Sequence, residues 1–325
     1  MPLPSTGAIS LNNVNQELGR ASPYNQQISL NDTVVRSLFG VASGQIAMSD
    51  GYGKFLSKVV ASGGTEITNG DYKIHIFTTS GTFSVTSVND GLAELNVFAV
   101  GGGFSGTAGD FAFEDFDGKP GGTGGAGGSY YLSPSLQFGS YFAGGGNYTV
   151  TVGAAGSNST LANLGALFTS STGVQGIAGG TGGTAGAGAQ YDSDNDVCSV
   201  GGGSTPGGAG GNGTSNSWTG TTYYYSAGGG GGGGGASGDG DTLVCASSSG
   251  GSAGNASAGS GGAGGSAPYT VGNNGVAGSS ANYNRGGGGG GGGGAGSTHG
   301  DATLINGGTA GAGGTGIVMI RYRFR

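Results

Sequence analysis

Two uninterrupted runs of glycine, Gly228–Gly235 and Gly286–Gly294, constrain this chain more than any other feature. Glycine brings no side chain to bury and loses more backbone freedom on ordering than any other residue. A fold that includes such runs must hold them through backbone hydrogen bonds instead of a hydrophobic core. The glycine is also unevenly placed: of 85 in the chain, only 11 fall within residues 1–100. Collagen is excluded, because no strict Gly-X-Y period runs through the sequence and only 7 residues are proline. A featureless linker fits poorly, since 13 Phe, 14 Tyr and many Val, Ile and Leu can build a core. The net charge of −7 argues against nucleic acid as a partner. No apolar stretch approaches the ~20 residues of a membrane-spanning helix, so no membrane insertion is expected. The opening residues lack the basic start and apolar stretch of a secretory leader, so none is expected.

Residues 1–60 carry a short repeat: Ile9-Ser-Leu-Asn-Asn, Ile28-Ser-Leu-Asn-Asp and Ile46-Ala-Met-Ser-Asp. Asn12 and Asn31 are placed to cap brief helices over Val14–Leu18 and Val34–Phe39, with Gly19 and Gly40 at their ends. Units this short do not hold a core singly. Ile9, Leu11, Ile28, Leu30, Ile46 and Met48 are therefore expected either to dock on a partner or to pack together in a small subdomain.

From Tyr72 the pattern switches to alternation, the signature of strands. Tyr72–Thr78, Thr82–Val88 and Leu92–Val100 are read as strands, followed by Ser129–Leu132, Asn147–Val152 and a segment near Leu164–Phe168. One more strand lies far along the chain, at Gly316–Phe324. Its strand partners must come from before residue 170. The expected fold is mainly β: a β-sandwich or jelly-roll-like unit (61–169 plus 316–325) preceded by the N-terminal module (1–60). The glycine-rich residues 170–315 form a long insertion into that sandwich. Polyproline-II-type glycine helices have three residues per turn and no internal hydrogen bonds, so every N–H and C=O is free for a neighbour. The insertion is expected to pack as a bundle of such polyglycine-II helices.

The non-glycine islands then become the turns of the bundle. Tyr, Ser, Asn and Gly are the vocabulary of adaptable binding loops, so Tyr191, Trp218, Tyr223, Tyr224, Tyr225, Tyr269 and Tyr283 are the candidate binding residues at loop tips. Basic residues avoid the region: between Pro120 and Ile320 only Arg285 is cationic. Asp192, Asp194 and Asp196 have the 1-3-5 spacing of a calcium loop, yet Val197 and Gly203 stand where it needs glycine and glutamate. An exposed acidic turn is the better reading, and no metal is expected. Gly250-Gly-Ser-Ala-Gly254 matches a nucleophile elbow only as any Gly/Ser-rich stretch would, with no strand before it. With 2 histidines, His75 and His299, general-base chemistry has few candidates, so neither catalysis nor a cofactor is expected. Cys198 and Cys245 either bridge two islands or remain thiols.

Phe77–Phe83, the strand entering Val100-Gly-Gly-Gly103, Tyr148–Gly153, the glycine tracts and Gly316–Tyr322 together form a pattern. It resembles the glycine-rich domain of bacteriophage tail and tail-fibre proteins, including adhesins that present loops on packed polyglycine helices. The Ile-Ser-Leu-Asn repeat resembles the leading segment of phage virion proteins. The resemblance implies a non-enzymatic virion component, docked on other virion proteins through residues 1–60. It also implies a bacterial surface receptor, protein or glycan, held by the loop tips. A purely structural virion part, such as a capsid fibre or decoration protein, is the alternative. Oligomeric state, homo-oligomer included, is left open by the sequence.

Overall fold

The computed structural model describes residues 2–20, 23–91, 93–112, 117–163, 178–192, 197–198, 204–238, 244–255, 273–298 and 304–325. In the N-terminal module, α1 (Leu11–Glu17) and a 3-10 turn at Met48–Gly51 begin within one copy of the repeat each, and α2 (Thr33–Phe39) directly follows another. The last residue of every copy folds its side chain back onto the main chain three residues earlier. Asn13 accepts from the Ser10 N–H at 2.9 Å, Asp32 from Ser29 at 2.9 Å and Asp50 from Ala47 at 2.8 Å. This shared bond, which sets the backbone for a helical turn, is the physical content of the repeat. The N-caps are Ser10 and Asp32, in place of the expected Asn12 and Asn31. Gly40 does terminate α2, at φ 73°, a conformation costly for a residue with a Cβ.

The repeat's apolar residues turn inward. Ile9, Ile28, Leu30, Ile46 and Met48 pack on the buried set Leu3, Val14, Val35, Leu38 and Phe39. Of the six expected docking residues, only Leu11 is exposed, at 43 %. The module has its own small core, and the other five residues are spent on it. It joins the rest of the protein through Phe55, whose ring meets Phe324 edge-on at 5.6 Å, and through the Lys58 N–H, which donates to the Phe324 carbonyl.

The sandwich strands are β1 (Val59–Ser62), β2 (Thr65–Asn69), β3 (Tyr72–Phe77), β4 (Gly81–Val88), β5 (Glu94–Val100), β6 (Tyr130–Leu132), β7 (Leu136–Gln137), β8 (Asn147–Thr151) and β9 (Thr160–Leu161). Short strands follow in the glycine-rich region: β10 (Tyr191–Asp192), β11 (Val197–Cys198), β12 (Thr214–Asn216), β13 (Tyr223–Tyr225), β14 (Ser237–Gly238), β15 (Val244–Cys245) and β16 (Ser297–Thr298). The last is β17 (Ile317–Arg323). One sheet runs β1-β4-β8-β9 and the other β2-β3-β17-β5-β6, with β7 also on β5. The protein is therefore a mainly β, sandwich-like fold in which β17 lies between β3 and β5, antiparallel to both.

Alternation along β17 explains its unbroken apolar run. Val318, Ile320 and Tyr322 face the four-stranded sheet and share a core with its Phe83 and Val150, with Phe138 and with Val97 of β5. Ile317 and Met319 face the other way, with Ile74, Phe98 and Val100. Both faces are buried, so the strand reads as continuously hydrophobic instead of alternating. Each such side chain removed from water contributes about 1.5–3 kcal/mol.

Above the sheet the glycine-rich chain forms a backbone lattice with the three-residue period of polyproline-II-type helices. The segments run up and down: 102–112, 178–189, 226–236 and 286–297 in one direction, and 117–128, 204–213, 246–254, 273–282 and 305–316 in the other. Every N–H from Gly288 to Ser297 donates, and the acceptor rotates through three neighbours. Gly288, Gly291 and Gly294 donate to Ala227, Gly230 and Gly233; Gly289 and Gly292 to Phe104 and Thr107; Gly290 and Gly293 to Ser279 and Val276. Segment 226–236 behaves alike, sending Gly228 and Gly231 to Gly211 and Gly208, and Gly229 and Gly232 to Gly125 and Gly122. Ordering a glycine costs about 1–2 kcal/mol of entropy, and a backbone hydrogen bond contributes only about 0.5–1.5 kcal/mol net. Order thus requires bonds in every turn together with close backbone contact, and the two glycine runs sit where both are met.

Glycine content per turn follows how many faces of a segment are covered. In segment 102–112 only Gly103, Gly106 and Gly109 recur, and a Cβ on each would collide with the carbonyls of Gly287, Gly290 and Gly293. Ser105, Ala108 and Phe111 lie on its open faces. Segment 178–189 begins with two glycines per turn at Gly179–Gly180 and Gly182–Gly183, with Thr181 and Thr184 outward. The two central segments are covered all round and are glycine throughout their middles. The lattice also begins earlier than expected. Segments 102–112 and 117–128 belong to it, although the sequence placed them in the sandwich, because their glycines recur every third residue and pair with those of 286–316. The strand expected near Leu164–Phe168 lies outside the described residues.

Candidate functional site

The open face of the six-stranded sheet is partly covered by the β12–β13 hairpin. Asn216 Oδ1 accepts from the Trp218 N–H at 2.9 Å, and Gly220 turns the chain at φ +88°. The Trp218 carbonyl accepts from Asn69 Nδ2 at 2.9 Å, which ties the turn to the end of β2. Arg321 lies 4.5 Å from the Trp218 ring and 4.6 Å from the Tyr72 ring, and its Nη2 donates to Asn96 Oδ1 at 2.7 Å. A cation held between two ring faces is a clamp between hairpin and sheet. Beside it the Tyr72 hydroxyl donates to Glu94 at 2.7 Å, and that bond raises the Tyr72 pKa and lowers that of Glu94.

Tyr225 packs edge-on against Phe98 at 5.1 Å and is buried, which pushes its hydroxyl pKa up. The chain then passes into its first central glycine segment through Ser226, at φ 66°. It reaches the second central segment through Asn284, at φ 59°, and Gly286, at φ 63°. The Ser226 N–H donates to the Arg285 carbonyl at 2.8 Å, holding these two turns side by side. Between them opens a groove of about 280 Å³. Its floor is Ile76 of β3 with Ile317 and Met319 of β17, its aromatic walls are Tyr223 and Tyr283, and Thr219, Asn284 and Arg285 supply its polar groups. Tyr283 is 80 % exposed, and the Arg285 guanidinium lies 4.8 Å from the Tyr223 ring centre.

The expected tip residues are thus divided between the two ends of the lattice. Trp218, Tyr223, Tyr224, Tyr225 and Tyr283 lie at its base, on or beside the sheet. Tyr191 begins β10 at the far end, roughly 30 Å away along segments of about ten residues. The cause is topological: from 102 to 254 the described segments alternate in direction, so successive islands there emerge at opposite ends. Tyr225 and half-buried Trp218 are packed on the sheet, while Tyr223 and Tyr224 remain exposed. Tyr269 lies outside the described residues. So do Asp194, Asp196 and His299, while Asp192 is placed only as backbone of β10. Among the described residues no cluster of His, Cys, Asp and Glu could hold a metal ion. At the far end Cys245 is buried and disulfide-bonded, and Cys198 is the chain's other cysteine. Gly250–Gly254 is a lattice segment, with Gly251 and Gly254 donating to Gly231 and Gly228, and has no elbow geometry. His75 is wholly buried, hydrogen-bonded through Nδ1 to the Gly63 carbonyl and through Nε2 to the Tyr322 hydroxyl, and burial lowers its pKa. Among the described residues no helix is long and apolar enough to cross a membrane.

No family model matches the chain, and no curated protein matches it. Arg285, Asn284 and Thr219 were not among the residues expected to bind. The signal for Arg285 was its isolation as the sole cation between Pro120 and Ile320.

Proposed function

We propose that this chain is a non-enzymatic phage virion protein of the tail or tail fibre, with a receptor-binding role. The observation that carries the reading is the groove at the base of the lattice, where two exposed tyrosines flank an apolar floor with three polar groups. Rigid amphipathic rings beside small hydrogen-bonding groups are what a recognition surface uses. The small N-terminal core supports a role as a self-contained attachment module, with exposed Leu11, Val34 and Tyr52 as its apolar contact surface. The test is host adsorption by particles carrying Tyr223→Ala or Tyr283→Ala, since both rings are exposed and both variants should fold. Particles that assemble normally and lose most adsorption would support the proposal; unchanged adsorption by both variants would refute it. Tyr225 is unsuitable for this test, because its ring is part of the sheet's buried face.

A purely structural virion role has one feature in its favour, the rigidity of a lattice whose backbones bond in every turn. High copy number along a capsid or tube would favour it, and a few copies at a tail end would favour adhesion.

A further inference from the structure

Arg20, Arg36, Arg321, Arg323 and Arg325 each direct the guanidinium to a carbonyl, an amide oxygen or the Asp71 carboxylate. Arg285 differs. Among the described residues its guanidinium lies over the Tyr223 ring and near Tyr225, and no carboxylate pairs with it. It is half-buried at the rim of the groove, with a planar fork of donors matched to a carboxylate. The floor consists of side chains from β3 and β17 in the interior of the sheet, so no open strand edge is offered to a peptide backbone. The walls are instead the aromatic rings of Tyr223 and Tyr283, and the remaining polar groups are neutral. A pyranose has the complementary surface: an apolar face of C–H bonds and a rim of hydroxyls.

Building on the receptor-binding reading above, we infer that the groove binds a carboxylate-bearing sugar of a bacterial surface polysaccharide. The Tyr223 and Tyr283 rings take the C–H faces, Asn284 and Thr219 bond the hydroxyls, and Arg285 pairs with the carboxylate. Capsular polymers and lipopolysaccharide both display such sugars, and the shared uronate-type chemistry is what the groove reads.

The experiment is calorimetric titration of the full chain with a short oligoglucuronate and with its carboxyl-reduced, neutral counterpart. The acidic sugar should bind about tenfold or more tightly, as expected for a charge-assisted bidentate pair. In Arg285→Gln the ratio of acidic to neutral sugar affinity should fall to near one, with Trp218 fluorescence confirming the fold. Equal binding of the two sugars by the unmodified chain would overturn the inference without recourse to any variant. So would binding of an Asp/Glu-rich peptide where neither sugar binds. Absence of sugar binding, together with failed adsorption of Tyr283→Ala particles, would refute the ligand class alone and leave receptor binding standing. Unchanged adsorption would remove both. Competition by capsular polymer or by lipopolysaccharide identifies the source and supports the inference; competition by neither overturns its assignment to the bacterial surface.

Discussion

At the residue scale, a single methyl group decides where the chain can be close-packed. A Cβ on Gly231 would collide with the Thr184 carbonyl, and neighbouring Gly230 and Gly232 are blocked by the carbonyls of Gly251 and Gly292. Gly231→Ala should therefore cost about 1–3 kcal/mol or more through overpacking against backbone that has no rotamer to yield. Ala108→Ser, on an open face, should stay within about 0.5 kcal/mol; urea midpoints of the two variants measure both. His75 supplies a second test. In the unfolded chain its imidazole takes a proton below about pH 6.5, whereas in the fold burial holds its pKa lower. The stability it confers is fully present above about pH 6.5 and is lost as the pH falls from there toward the folded pKa. Urea midpoints should thus decline as the pH falls below about 6.5 in the unmodified chain, and the decline should flatten in His75→Gln. A flat profile in the unmodified chain would contradict the assignment.

At the element scale, Arg321 joins the Asn69 hydrogen bond and the Tyr225–Phe98 contact in holding the hairpin on the sheet. Trp218 and Arg321 should couple by about 0.5–2 kcal/mol in a double-mutant cycle of Trp218→Ala and Arg321→Gln, the range of a partly desolvated cation–π contact. Additive losses would mean that the clamp does not hold the hairpin. Such long-range pairings were not legible in the sequence, because nothing local links residue 218 to residue 321. The strands were legible, because alternation around Ile74, Phe83 and Val150 is a local signal of a half-buried face. The distant partnership of β17 followed by elimination. The repeat was visible, but its caps were not. Asn12 and Asn31 are as good caps by type as Ser10 and Asp32, where the helices begin. The candidate site was legible as tyrosines but not as a groove, since its floor comes from strands far away in the chain.

At the scale of the whole molecule, two packing regimes share one boundary. The sandwich is held by side chains buried between two sheets, and the lattice by main chains in contact. β5 and β17 run directly into lattice segments at Val100–Gly101 and Gly316–Ile317, so the sheet sets the spacing of the glycine segments above it. The groove lies at that boundary, and its walls are the loops by which the chain passes into the two central segments. The order of those segments is the central claim. Amide hydrogen exchange resolved to single residues tests it most directly, because N–H groups buried in a bonded lattice exchange only on opening. The amides of Gly288–Gly294, and those of Gly228, Gly229, Gly231 and Gly232, should be protected as strongly as those of β17, while exposed Ser105 and Ala108 exchange quickly. Exchange of the two glycine runs at the rate of an unstructured peptide, with β17 still protected, would contradict the account.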